Sequence, residues 1–112
     1  MRPRAVSLMR SGDIVYCDFG ESEYDEPDSA RPAIVVTSDD ILALRQNTVA
    51  IVPCTTTRRG WFTEVDMDGL GVAQAHLLTT ISVDHIVEET DANVGSAVLN
   101  QIRERIVDVL GI

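Results

Sequence analysis

The chain contains no lysine, so every fixed positive charge on a side chain is an arginine. Nine arginines stand against 18 acids, for a formal net charge of −9. A balance this acidic excludes a broad basic footprint for nucleic acid and predicts weak non-specific affinity for a phosphate backbone. It also makes the position of each arginine more informative than the sum. No apolar run approaches the roughly 18 residues that a membrane-spanning helix needs. The start, Met1-Arg2-Pro3-Arg4, is basic, but no apolar stretch follows as in a secretory signal. No membrane association and a cytoplasmic address are the expectations.

Cysteine is scarce and isolated. Cys17 and Cys54 lie inside apolar stretches, with no C-x-x-C, and His76 and His85 show no H-x-x-x-H spacing. Two buried thiols acting as small hydrophobes are expected, with no disulfide, metal or cofactor. The G-x-S-x-G, P-loop, G-x-G-x-x-G and H-E-x-x-H patterns are all missing. Neither histidine stands in a triad context, which disfavours a histidine-based ribonuclease.

What is present is a series of short β-branched runs ending in one helix. At 112 residues the chain is one domain's worth, 1–112, able to bury roughly two-thirds of its unfolded surface. Gly12 to Phe19 reads as a first strand. The polar stretch from Gly20 to Ala30 reads as an acidic loop, and Pro32 to Thr37 as a buried central strand. Ser38-Asp39-Asp40 offers an N-cap and first-turn acids for a short helix through Leu44. Thr48 to Cys54 reads as the third strand, Thr55 to Gly60 as a turn, and Phe62 to Met67 as an exposed strand. Ala73 to Ile81 is one bent strand or two short ones, and Val83 to Val87 a further piece. Val94, Val98, Ile102, Ile106, Val109 and Leu110 recur at helical spacing, with Asn93 or Asp91 able to cap and Gly111 to terminate. Short strands plus one packing helix indicate a small, strongly bent β-barrel with a C-terminal helix.

Three places could carry chemistry. Arg31 stands between the acidic loop and the central strand, and its planar fork matches two phosphate oxygens. Neutralising Asp25, Glu26 or Asp28 is the competing role. Thr55-Thr56-Thr57-Arg58-Arg59 gathers hydroxyls and guanidiniums at a strand end. Such groups contact phosphate without a metal, or simply make a solvated turn. Glu26, five residues before Arg31, could take a proton from a sugar hydroxyl, or be one more solvated acid. Trp61 could stack on a base, plug the barrel end or line a dimer interface.

In order, these segments resemble the MazF/PemK family of toxins. Gly12-Asp13-Ile14-Val15 with Asp18-Phe19 resembles its G-D-[IV] … D-[LF] opening. Arg31-Pro32-Ala33-Ile34-Val35-Val36 is similar to its R-P-[AV]-[LIV]-V-[LIV] strand. Val49 to Thr56 resembles its third strand, Ala73-Gln74-Ala75 through Thr80-Ile81 its late strand pair, and Ile102 to Leu110 its closing helix. The resemblance runs from about Arg10 to Gly111.

It implies a mainly β (α+β), SH3-like barrel, usually a homodimer, as in PemK and CcdB folds. It also implies a metal-independent endoribonuclease that cuts single-stranded RNA by 2′-OH attack, held in check by a cognate antitoxin. On that resemblance Arg31 is the catalytic arginine, Thr56 the hydroxyl of the third strand and Glu26 a general base. Thr55, Thr57, Arg58, Arg59, Trp61 and His76 then line the RNA. One stretch departs: where many members carry E-Q-[IV]-[KR]-[TS]-[IL], this chain has His76-Leu77-Leu78-Thr79-Thr80-Ile81. The other function this fold supports is a non-catalytic toxin that binds DNA gyrase or another protein.

Overall fold

The computed structural model describes residues 9–19 and 30–112. Seven strands and two α-helices follow in order: β1 (Asp13–Cys17), β2 (Arg31–Val35), α1 (Asp39–Leu42), β3 (Thr48–Thr55), β4 (Glu64–Met67), β5 (Gly71–Gln74), β6 (Thr79–Ser82), β7 (Ile86–Asn93) and α2 (Gly95–Leu110). Single 3-10 turns at Ala75–Leu77 and Val83–His85 link β5 to β6 and β6 to β7. All pairings are antiparallel, in the order β4-β5-β3-β2-β1-β7. β3 is the hub. One edge pairs with β2, while the other is shared by β6 along Thr48–Ile51 and β5 at Cys54–Thr55. The sheet is roughly barrel-like but not closed.

Both faces of the central strands are buried, which explains their near-continuous apolar sequence. Val15, Cys17, Ala33, Val35, Val49 and Ile51 join Leu42, Val83 and Ile86 in one cluster. The alternate residues Ile14, Ile34, Val52 and Cys54 face a second cluster built around Ile102 of α2. Two faces at a period of two residues therefore read, in sequence, as unbroken hydrophobic runs. Cys17 and Cys54 are buried free thiols, as expected. Burial pushes Cys17 up to about 11 and Cys54 up to about 12.

The late segment takes the second of its two expected forms, two short strands, because a 3-10 turn interrupts the run at Ala75. Three other expectations change in detail. β4 is not an exposed strand: Val65 and Met67 are buried in the second cluster. β7 extends to Asn93, since main-chain pairing to β1 tolerates the polar Glu88-Glu89-Thr90-Asp91 sequence. On α2, Leu99 and Ile102 are buried, whereas Val109 and Leu110 are exposed past the end of the sheet contact. Ser38 caps α1 as read, its hydroxyl accepting from the Ile41 amide. Asn93 serves the start of α2, accepting from the Gly95 amide at 2.8 Å. Gly111 closes that helix at φ 73°.

Candidate RNA-binding site

Arg31 is the first residue of β2, exposed at its mouth, with Cys17 of β1 as its cross-strand partner. On the other side β2 pairs with β3 as Ala33↔Pro53, Ile34↔Val52 and Val35↔Ile51. That ladder ends at Ala33↔Pro53, and each strand runs two residues beyond it, β2 back to Arg31 and β3 on to Thr55. The arginine and the start of the threonine run therefore lie at the same end of two adjacent strands. Thr56 follows, exposed, just beyond the strand. The Thr55 hydroxyl accepts from the Thr57 amide at 3.1 Å and begins the turn.

This corner is held by a residue the sequence reading passed over. Gly71 opens β5 at φ 84°, beside β3. A Cβ there would stand 2.1 Å from the Thr55 carbonyl oxygen and 2.7 Å from the Thr56 Cα. Only glycine lets the two backbones approach so closely while adopting a left-handed conformation. The sequence signal was a glycine inside a β-like run, two residues after the Asp68-Gly69 turn.

Beyond Thr57 the chain forms a second group. Arg58 pairs with Asp66 of β4, both well exposed, a pairing worth at most about 1 kcal/mol. The Arg59 guanidinium lies 5.3 Å from the centre of the Trp61 ring. Trp61 and His76 meet edge to face, centroids 5.0 Å apart at 64°. His76 Nδ1 is 2.7 Å from the Thr63 hydroxyl. The structure thus brings His76, from the turn after β5, against Arg59 and Trp61 of this loop, and adds Thr63 and Glu64. Phe62, next to Trp61, is exposed, with the Arg105 guanidinium of α2 lying 4.5 Å from its ring centre.

His85 belongs to neither group. Its Nδ1 lies 3.1 Å from the Asp18 carbonyl, and the Asp18 amide donates back to the His85 carbonyl. Glu26 lies outside the described residues, as does most of the acidic loop. Among the described residues no three His, Cys, Asp or Glu side chains gather as a metal site would require. Nor is any helix among them long and apolar enough to cross a membrane.

An antiparallel, barrel-like sheet with a C-terminal helix is the fold of a class of small toxin domains. Residues 10–110 match the family of PemK-like, MazF-like toxins of type II toxin-antitoxin systems, and the chain belongs to that family. Solved structures agree. An endoribonuclease in complex with its cognate antitoxin, from Mycobacterial species, is 25% identical with a TM-score of 0.77, over 94% of this chain and 97% of that one. An endoribonuclease from Mycobacterial species is 24% identical with a TM-score of 0.76, over 93% and 92%. MazF in a MazE–MazF complex from Deinococcus radiodurans is 21% identical with a TM-score of 0.79, over 94% and 97%. No curated protein matches the sequence significantly.

Proposed function

We propose that this toxin is a metal-independent endoribonuclease that cuts single-stranded RNA. The 2′-hydroxyl of one nucleotide attacks the adjacent phosphorus, and the bond from phosphorus to the 5′-oxygen breaks. The products are a 2′,3′-cyclic phosphate and a 5′-hydroxyl. Negative charge grows on the phosphoryl oxygens as the five-coordinate transition state forms. Arg31 stabilises it with a guanidinium that stays protonated, and therefore acts by charge rather than as a base. Thr56 donates its hydroxyl to a non-bridging oxygen. Glu26 accepts the proton of the 2′-hydroxyl, and the departing 5′-oxygen takes a proton from solvent water. Thr55, Thr57, Arg58, Arg59, Trp61 and His76 hold the strand on either side.

The observation that supports this reading is the β2–β3 pairing, which leaves Arg31 and Thr55 at the same end of adjacent strands. Family membership, and the endoribonucleases among the structural relatives, support the reaction class. The same support extends to a cognate antitoxin as inhibitor, since two of these relatives were solved with theirs. A two-fold homodimer is the expected assembly.

The test is incubation of the purified protein with a long single-stranded RNA in EDTA, followed by mapping of the 5′ ends. Discrete cuts with 5′-hydroxyl ends are expected. Activity that disappears in EDTA and returns with Mg²⁺ would contradict the mechanism. RNA left intact in either condition would return the chain to the non-catalytic reading.

A further inference from the structure

The loop between β3 and β4 is built around a carboxylate. Glu64 Oε2 accepts from the Arg59 amide at 3.0 Å, and Oε1 accepts from the Gly60 amide at 3.0 Å. Gly60 is left-handed, at φ 75°, a conformation that turns successive amides toward one point and makes a cradle for an anion. The Glu64 amide in turn donates to the Trp61 carbonyl at 3.1 Å. Trp61 is therefore tied from both sides by one residue: through the amides before it and through its own carbonyl.

The side chain so fixed is half exposed, at 50%. Arg59 covers part of it and His76 abuts it edge-on. His76 is steadied by Thr63, which belongs to the same loop. A rigid indole with a cation beside it and half its surface open is the arrangement on which unpaired nucleobases stack. The amide cradle cannot also take an RNA phosphate, because a carboxylate already fills it. The loop must then meet RNA through its side chains.

We propose that Trp61 is a stacking platform for an unpaired nucleobase and that Glu64 is the positioning residue that builds it, acting in binding and not in the cleavage step. This rests on the RNA-cleaving function proposed above. Glu64 itself touches no RNA; its acceptor oxygens serve the loop.

Trp61 is the only tryptophan of the chain, so its fluorescence reports the platform directly. The probe is a short, mixed-sequence, fully 2′-O-methylated oligoribonucleotide, which has no free 2′-hydroxyl to attack. The full chain should bind it with quenching of Trp61 emission. Trp61→Ala should weaken binding by about 5- to 150-fold, the range one stacked base corresponds to. In cleavage assays the same variant should raise KM by a similar factor while kcat stays within about twofold, the mark of lost uniform binding. Glu64→Ala should raise KM likewise. Glu64→Gln, which keeps Oε1 as an acceptor for the loop amides, should restore most of it. Thermal unfolding of each variant separates these effects from loss of fold.

Unquenched Trp61 in the bound protein, wild-type affinity in Trp61→Ala, or a loss confined to kcat each overturns the platform. A Glu64→Gln protein that fails like Glu64→Ala, or binds more tightly than wild type, overturns the positioning role. Because the probe is uncleavable, a wild-type protein that binds and quenches but cuts no RNA refutes the ribonuclease reading and leaves the platform standing.

Discussion

Arg31 and Thr56 are the residues on which the proposed chemistry turns. Truncating Arg31 to alanine should reduce cleavage by about 100- to 1,000-fold, since one well-placed donor contributes roughly 2.7–4 kcal/mol in a transition state. Thr56→Ala should fall in the same direction. Both positions are exposed, so circular dichroism and thermal unfolding should be nearly unchanged. Near-normal rates from folded Arg31→Ala would return that residue to neutralising its acidic neighbours. Gly71→Ala predicts the opposite pattern. Its methyl would collide with the backbone of Thr55 and Thr56, so stability should fall by about 2 kcal/mol or more, read as a lower denaturation midpoint. Arginine, threonine and tryptophan of the candidate site stand out in the sequence because their chemistry is their own. Glu64 was not legible, because a solvated acid and a loop-building acid look alike until the turn at Gly60 is known.

Elements were readable where one rule governed them. Ser38 ahead of two acids marked the start of α1, and Gly111 the end of α2. β2 and β3 were readable because burial on both faces leaves continuous apolar runs. β7 was largely missed because pairing to β1, not side-chain pattern, makes it a strand. On α2 the helical period was right, but it cannot say where the sheet beneath stops. The exposed Val109 follows from that, while the burial of Leu99 was not foreseen. The helix should therefore respond unevenly to truncation. Ile102→Ala, at a site of zero exposure, should cost about 2–5 kcal/mol in denaturant unfolding. Leu110→Ala, at a half-exposed site, should cost well under 1 kcal/mol if that face is uncovered in solution. A larger loss at Leu110 that depends on protein concentration would indicate that a second copy covers it.

At the scale of the molecule, the two thiols set an alkaline limit. Both fold with pKa values raised above the ordinary 9.0. Between pH 9 and about 11 the unfolded chain sheds protons that the folded chain keeps, so it binds fewer protons and stability falls as pH rises. Each thiol contributes a slope of up to about 1.4 kcal/mol per pH unit, complete only above the folded values. Replacing both by alanine should flatten the pH dependence of the unfolding free energy over that range, whatever it does to the absolute value. Assembly and inhibition are also properties of the whole. Light scattering at micromolar concentration should give a dimer mass, and a monomer would count against it. With a net charge of −9, bulk attraction cannot draw an acidic antitoxin segment to this surface. Hydrophobic anchors, with a few carboxylates aimed at Arg31, Arg58 and Arg59, should carry the binding, giving a modest salt dependence. A steep loss of antitoxin affinity with added salt would reveal a concentrated basic patch despite the total charge.

The pairing of β1 with β7 also sets when the toxin can exist. Asp13 and Asn93 are 80 residues apart, yet they share a hydrogen bond at 2.8 Å. The cluster beneath the sheet needs Ile102, nine residues later still. A chain growing on the ribosome at roughly 5–20 residues per second carries Arg31 and the threonine run for seconds before their strand order can be completed. Non-local pairing of this kind is slow to form even in a finished chain. The sheet that carries Arg31 and the threonine run is therefore assembled late, only once β7 and Ile102 have emerged.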